Sequence, residues 1–276
     1  MHDPECEDQR LWHHRVVMVV PLATVLLGLV IGSFLNVVIY RVPRHESVVT
    51  PPSACPACQH QLAAKDNIPV LSWLLLRGKC RYCAAPISAR YPLVELLTAV
   101  LFLLITLVFG FGWELPAFLY LAAISVALAL IDLDTKRLPN AIVLPSYPVA
   151  LLLLLIPTIA EARWANYLGA VLGGLALFAF YFLLAFIYPA GMGFGDVKLA
   201  GVLGIYLGWL GWAVLVFGGF LGFVLGGLVG IALMLASRAG RKTQIPFGPF
   251  MLGGCLLAVF LGQSVTDWYG QTILGF

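Results

Sequence analysis

Charge is what this sequence has least of. Asp, Glu, Lys and Arg together make up 11% of its 276 residues, against about 25% in an ordinary soluble domain. With 61% of its residues hydrophobic, the chain cannot clothe a water-facing surface, which excludes a soluble globular protein. The core-size question does not arise, because lipid is the solvent. The net charge of +3 is small and points to no nucleic acid. Also missing is a basic n-region with a small-residue cleavage site. The start carries Asp3, Glu5, Glu7 and Asp8 instead, which does not read as a cleaved signal peptide. A disulfide framework is lacking too: the six cysteines fall as Cys6, two close pairs and Cys255, a pattern that reads as a metal site plus two strays. No glycine-rich dinucleotide fingerprint follows a strand.

What is there is a series of long apolar runs. They predict an all-α polytopic membrane protein, a bundle of about eight transmembrane helices with a small cytoplasmic zinc-binding insertion. The expected spans are roughly Val16 to Tyr40, Pro92 to Phe111, Pro116 to Leu133, Ala141 to Ala160 and Tyr167 to Tyr188. A sixth begins near Val197 and turns near Gly208 to Gly211; a seventh runs from Trp212 to Ala236, and a last follows Ile245 to about Gly262. Pro145, Pro148 and Pro157 should kink the fourth. Gly218, Gly222, Gly226 and Gly230 share one face of the seventh and permit close helix contact. Ser33 and Asn36, polar within the first span, read as interhelical hydrogen-bonding groups or as substrate contacts. The apolar patch from Ile68 to Leu76 is too short to cross about 30 Å of hydrocarbon, and suits a membrane surface or a small metal-centred core.

Orientation follows from the basic residues in the loops. Alternating the spans puts thirteen of the sixteen Lys and Arg residues on one side: the 41–91 segment, Lys136 and Arg137, Lys198, and the loop of Arg238, Arg241 and Lys242. Arg10, Arg15 and Arg163 fall on the other. The basic side is expected to be the cytoplasm, and Asp132 and Asp196 then both lie at the cytoplasmic membrane edge.

Cys55-Pro56-Ala57-Cys58 and Cys80-Arg81-Tyr82-Cys83 are two C-x-x-C knuckles with twenty-one residues between them. This is close to the spacing of a four-cysteine zinc site, which leaves no open coordination position and is therefore structural. Disulfides and an iron–sulfur cluster are the alternatives; the cytoplasmic placement speaks against the first, and the paired short knuckles favour zinc over the second. His60 reads as an exposed residue or a competing ligand, Lys79 and Arg81 as a solvated rim, Cys6 as a tail residue and Cys255 as a core filler.

Two carboxylates at one membrane depth suggest aspartic protease chemistry. Neighbouring carboxylates cannot both ionise easily and share a proton. The ionised one takes a proton from water, which attacks the scissile carbonyl, while the protonated one donates to the carbonyl oxygen. The glycines of Gly191-Met192-Gly193-Phe194-Gly195-Asp196-Val197-Lys198 would let a substrate strand lie close to the backbone. A transporter using the same acids as ion or proton carriers, and a membrane adaptor that docks a partner on its zinc knuckles, are competing expectations.

Gly193-Phe194-Gly195-Asp196 matches the G-x-G-D motif of intramembrane aspartyl proteases. With it stand Ile131-Asp132-Leu133-Asp134, Leu138-Pro139-Asn140, Ile245-Pro246-Phe247-Gly248-Pro249, Gly32 to Pro43, Arg90-Tyr91-Pro92-Leu93-Val94-Glu95 and the cysteine knuckles. Together these blocks, from about residue 32 to residue 250, resemble the type IV prepilin peptidases, the bifunctional leader peptidases and N-methyltransferases. The resemblance implies Asp132 and Asp196 as the catalytic pair and Cys55, Cys58, Cys80 and Cys83 as zinc ligands. Asp132 is preferred over Asp134 by its interval to Pro139; Asp134 would position Lys136 or a substrate charge, or be a solvated helix-end acid. The implied activity is removal of the basic leader from prepilins or type II secretion pseudopilins, which also carry a hydrophobic N-terminal helix. Methylation of the new N-terminal residue follows, with S-adenosylmethionine as donor; a peptidase without the methyl transfer is the narrower variant. The implied location is the bacterial inner membrane. The parts are then a tail and first helix (1–40), a cytoplasmic four-cysteine segment associated with methyl transfer (41–91) and the peptidase bundle (92–276). Glu46 and Glu95 could orient a substrate amine, or serve surface and packing roles.

Overall fold

The computed structural model describes the backbone of residues 4–189, 192–236, 245–269 and 271–272, and side chains within them from residue 19 onward except 266 and 269. Gly191, the Arg238/Arg241/Lys242 loop and the side chain of Cys6 lie outside the described residues. The chain is all-helical. Its helices are α1 (Pro4–Arg41), α2 (Leu71–Leu75), α3 (Arg90–Phe109), α4 (Leu115–Thr135), α5 (Asn140–Glu161), α6 (Trp164–Ile187), α7 (Phe194–Leu210), α8 (Trp212–Leu235) and α9 (Gly248–Tyr269). Among the described residues there is no strand, only two isolated bridges, Ala54 with Gln61 and Lys79 with Pro86.

Of the eight long helices, seven are long and apolar enough to cross a membrane by length and composition. The exception is α7, whose 17 residues reach about 26 Å at about 1.5 Å per residue. It is the centre of the bundle rather than a lipid-facing span: Leu199 to Trp209 are all buried. Helix α1 begins at Pro4 rather than near residue 16, because helix continues beyond the apolar stretch. Helix α5 runs through Pro145, Pro148 and Pro157 as one element. The break between α6–α7 and α8–α9 pairs falls at Gly211, whose φ of +132° is a conformation that suits glycine.

The helices pair antiparallel through small residues. In α1 and α3 a Cβ at Gly28 would stand 2.6 Å from Ala99 Cα, and one at Gly32 2.6 Å from Glu95 Cα. In α6 and α7 the carbonyl of Gly204 would stand 2.6 Å from a Cβ at Gly173, and Gly169 and Gly208 meet in the same way one turn along. In α8, Gly218, Gly222 and Gly226 lie against Ala258, Met251 and Phe247, whereas Gly230 faces open space. Without a hydrophobic drive between helices in lipid, such close backbone approach supplies the packing. Asn36 serves the α1–α3 pair: its side-chain amide donates to the Tyr91 carbonyl at 3.1 Å.

Candidate active site

Helix α4 ends where Lys136 turns left-handed (φ 53°) and donates its N–H to the Asp132 carbonyl at 2.8 Å. This leaves Asp132 on the last turn, facing inward and only 5% exposed. Its Oδ2 accepts a hydrogen bond from the backbone N–H of Gly248, the first residue of α9, at 3.1 Å. Asp196 sits in the first turn of α7, after an extended Gly193 that acts as N-cap. Its N–H donates to the Gly193 carbonyl at 3.0 Å, and its side chain curls back, placing Oδ2 3.4 Å from where a Cβ on Gly193 would be.

Leu138 joins the two. A Cβ at Gly195 would lie 3.3 Å from Leu138 Cβ, and one at Gly248 3.3 Å from Leu138 Cδ2. The α4–α5 turn, the start of α7 and the start of α9 therefore converge on one leucine at one end of the bundle. The two acids, 64 positions apart by number (196 − 132), are thereby brought to the same end of the bundle.

Other members of the same stretches hold this arrangement. Lys198 donates from Nζ to Asn140 Oδ1 at 2.9 Å, tying the start of α7 to the start of α5. The Tyr147 hydroxyl donates to the Lys198 carbonyl at 2.6 Å and packs against Gly201. Leu138, Tyr147 and the Gly248 amide had no assigned role in the sequence; the motif blocks containing Leu138 and Gly248 were the available signal. Asp134 does not position Lys136. It receives both guanidinium nitrogens of Arg90, at 3.0 and 2.6 Å, because Arg90 opens α3 beside the end of α4.

The four cysteines form a second site. In each knuckle the first cysteine's N–H donates to the carbonyl five residues on, Cys55 to His60 at 2.9 Å and Cys80 to Ala85 at 2.8 Å. The residue after each second cysteine, Gln59 and Ala84, has φ of 58°, so the two turns are copies. They bring four sulfurs within 4.8 Å of one another. Cys55 Sγ and Cys83 Sγ are 3.8 Å apart, the edge of a tetrahedron with bonds of about 2.3 Å, which fits zinc. The backbone N–H groups of Cys58 and Ala57 pull the Cys55 thiol below its ordinary value, while Cys83 in the same cluster is pushed up beside its neighbouring thiols. His60 is not in the cluster; its ring packs against that of Tyr82, tilted by 34° with centroids 3.6 Å apart. Arg81 is not merely a solvated rim: its Nε bonds Asp66 Oδ1 at 2.5 Å and holds that carboxyl below its ordinary value. Glu95 is buried and accepts from the Val70 N–H at 2.7 Å, whereas Glu46 is exposed.

Known proteins resemble this chain in sequence. Residues 26–109 match the Bacterial Peptidase A24 N-terminal domain, and residues 119–231 match the Type IV leader peptidase family. A prepilin leader peptidase/N-methyltransferase of Aeromonas hydrophila is 40% identical over 269 residues, 88% of this chain and 91% of that protein. One from Pseudomonas aeruginosa is 36% identical and covers 91% of this chain and 93% of its own length. One from Myxococcus xanthus is 44% identical over 79% of this chain and 65% of its own length. No solved structure matches significantly. Nothing in these similarities supports a transporter. An all-helical membrane bundle, a four-cysteine cluster and the Aeromonas and Pseudomonas relatives, alike over nine-tenths of their length, lead to one conclusion: the chain belongs to the type IV leader peptidase family.

Proposed function

We propose that Asp132 and Asp196 are the catalytic pair with which this protein removes the leader from type IV prepilins or type II secretion pseudopilins. Supporting this reading is the convergence of the α4 end, the α7 start and the α9 start on Leu138, which brings the two acids to one end of the bundle. In the reaction the ionised carboxylate accepts a proton from water as the hydroxide oxygen bonds to the scissile carbonyl carbon. The protonated carboxyl donates to the carbonyl oxygen, and the pair then delivers a proton to the departing amine. The Gly248 amide orients Asp132, and the Lys198–Asn140 bond fixes the helix start that carries Asp196.

The new N-terminus is then methylated, with S-adenosylmethionine as donor. No strand followed by a glycine-rich helix start occurs among the described residues, so a dinucleotide-type cradle does not fit that donor here. Cys55, Cys58, Cys80 and Cys83 hold a structural zinc, and the 41–91 segment carries the methyl-transfer half while 92–276 forms the peptidase. Both sites face the cytoplasm from the bacterial inner membrane, where a basic leader would meet them.

The test uses the purified full-length protein in detergent with a prepilin. Asp132→Asn and Asp196→Asn should each lower cleavage roughly 10²–10⁴-fold, while Asp134→Asn, whose carboxylate is already paired with Arg90, should stay within a few-fold of the parent. Loss in Asp134→Asn with activity kept in Asp132→Asn would move the pair to Asp134. Mass spectrometry of the product N-terminus reads methyl transfer in the same reaction.

A further inference from the structure

The 41–91 segment carries an apolar face that the cysteine site does not use. On α2 the inward side is occupied: the Ser72 hydroxyl donates to the Ile68 carbonyl at 2.7 Å, and Trp73 Nε1 donates to the Ile87 carbonyl at 3.0 Å. The Trp73 ring also lies under Gly78, where a Cβ would stand 2.9 Å away. The outward side is wholly aliphatic. Leu71, Leu74 and Leu75 are 57%, 57% and 81% exposed, and Ile68, one turn earlier, is 45% exposed. Within α2, Leu71, Leu74 and Leu75 fall at i, i+3 and i+4, one helical face. A segment folded for water would bury that face and expose the serine.

Where this face sits is set by one hydrogen bond. The N–H of Val70, the residue before α2, is held at 2.7 Å by Oε2 of Glu95, itself buried in the second turn of α3. Val70 has φ of +60°, an outlier for a β-branched residue that persists only when its surroundings over-determine it. On α3 the same turns expose Leu93, Leu96 and Leu97, where the lipid-facing surface of that span begins. The bond to Glu95 thus sets the start of α2 at the level of the second turn of α3, where that span enters the membrane. Immediately after α2 come Arg77 and Lys79, both exposed and without an ion-pair partner among the described residues.

We infer that α2 lies in the headgroup–acyl boundary of the leaflet on the cysteine-site side. Ile68, Leu71, Leu74 and Leu75 are inserted among acyl chains, and Arg77 and Lys79 are set against anionic phospholipid headgroups. Short apolar faces flanked by basic residues bind this boundary through buried area and charge together. Glu95 fixes the depth by capping the helix start from within α3. The consequence is that the four-cysteine site is held at a set height over the membrane entry of α3, instead of swinging on its linkers.

The test places a benzoylphenylalanine photo-crosslinker at position 75 of the full-length protein, reconstituted in vesicles of phosphatidylethanolamine and phosphatidylglycerol. Position 97 of α3 serves as the lipid-facing control. After illumination, intact mass at 75 should show a shift of one phospholipid, as at 97. Adducts to a second copy of the chain, or no adduct at 75 while 97 crosslinks, would overturn the inference. Retained zinc and prepilin cleavage in the position-75 protein show that it has folded.

Discussion

Asp132 is held by a backbone amide, not by a side chain, and this makes its partner hard to see in a sequence. The Gly248 N–H reaches Oδ2 because nothing projects from residue 248: a Cβ there would stand 2.7 Å from that oxygen. Gly248→Ala should therefore swing the carboxylate away while sparing the fold, since the clash is with the movable end of a side chain. A misplacement on the order of 1 Å can cost about 10²-fold in rate, so cleavage should fall by roughly ten- to a hundredfold in kcat with the unfolding temperature little changed. A rate within twofold of the parent would show that the amide does not hold the reacting geometry. The sequence brought the two acids to one membrane edge by counting spans. It could not rank Asp132 over Asp134 without the family's interval, because the competing partner, Arg90, lies 44 positions away. Long-range ion pairs of this kind leave no local pattern.

At the scale of elements, glycine spacing was readable but its partners were not. Gly218, Gly222, Gly226 and Gly230 on α8 announce a small-residue face, yet Gly230 meets nothing within 4 Å. The tightest pairing runs instead between α6 and α7 through Gly169, Gly173, Gly204 and Gly208. A periodic stripe tells that a helix can be approached, not which neighbour will approach it. Gly204→Ala drives a methyl into the Gly173 carbonyl, and such overpacking costs about 1–3 kcal/mol. Gly230→Ala should be neutral within about 0.5 kcal/mol or slightly stabilising. Thermal unfolding of the two variants in detergent separates them, and equal unfolding temperatures would contradict the α6–α7 packing. The cysteine knuckles were legible in full, because C-x-x-C turns are local and two copies at the right interval define a tetrahedron. Metal analysis of the purified protein should find one zinc per chain, and Cys58→Ser should lose it. An intact zinc complement in that variant would remove Cys58 from the ligand set.

For the whole molecule, hydropathy located the spans because lipid admits only segments whose backbone groups are satisfied internally. It was least decisive at α7, since that helix is enclosed by protein and owes its apolar character to the bundle core. The parity of eight helices carries the topology. With α7 counted as a pass, the ends of α4, α6 and α8 and the starts of α5, α7 and α9 share one side; without it the start of α9, and Gly248 with it, would fall on the face opposite Asp132. The bond from Gly248 to Asp132 and the contacts of Leu138 require the shared side, so the short helix must count. The side proposed to face the cytoplasm carries Lys65, Lys79, Lys136 and Lys198, which all lie with the cysteine segment and the candidate pair. A membrane-impermeant amine reagent should leave these four unlabelled in intact spheroplasts and label them in inverted membrane vesicles, read by peptide mass spectrometry. Labelling of Lys65 and Lys79 from outside would turn the bundle over. The acids would then stand across the bilayer from a leader held in the cell, and the peptidase reading would lose its substrate.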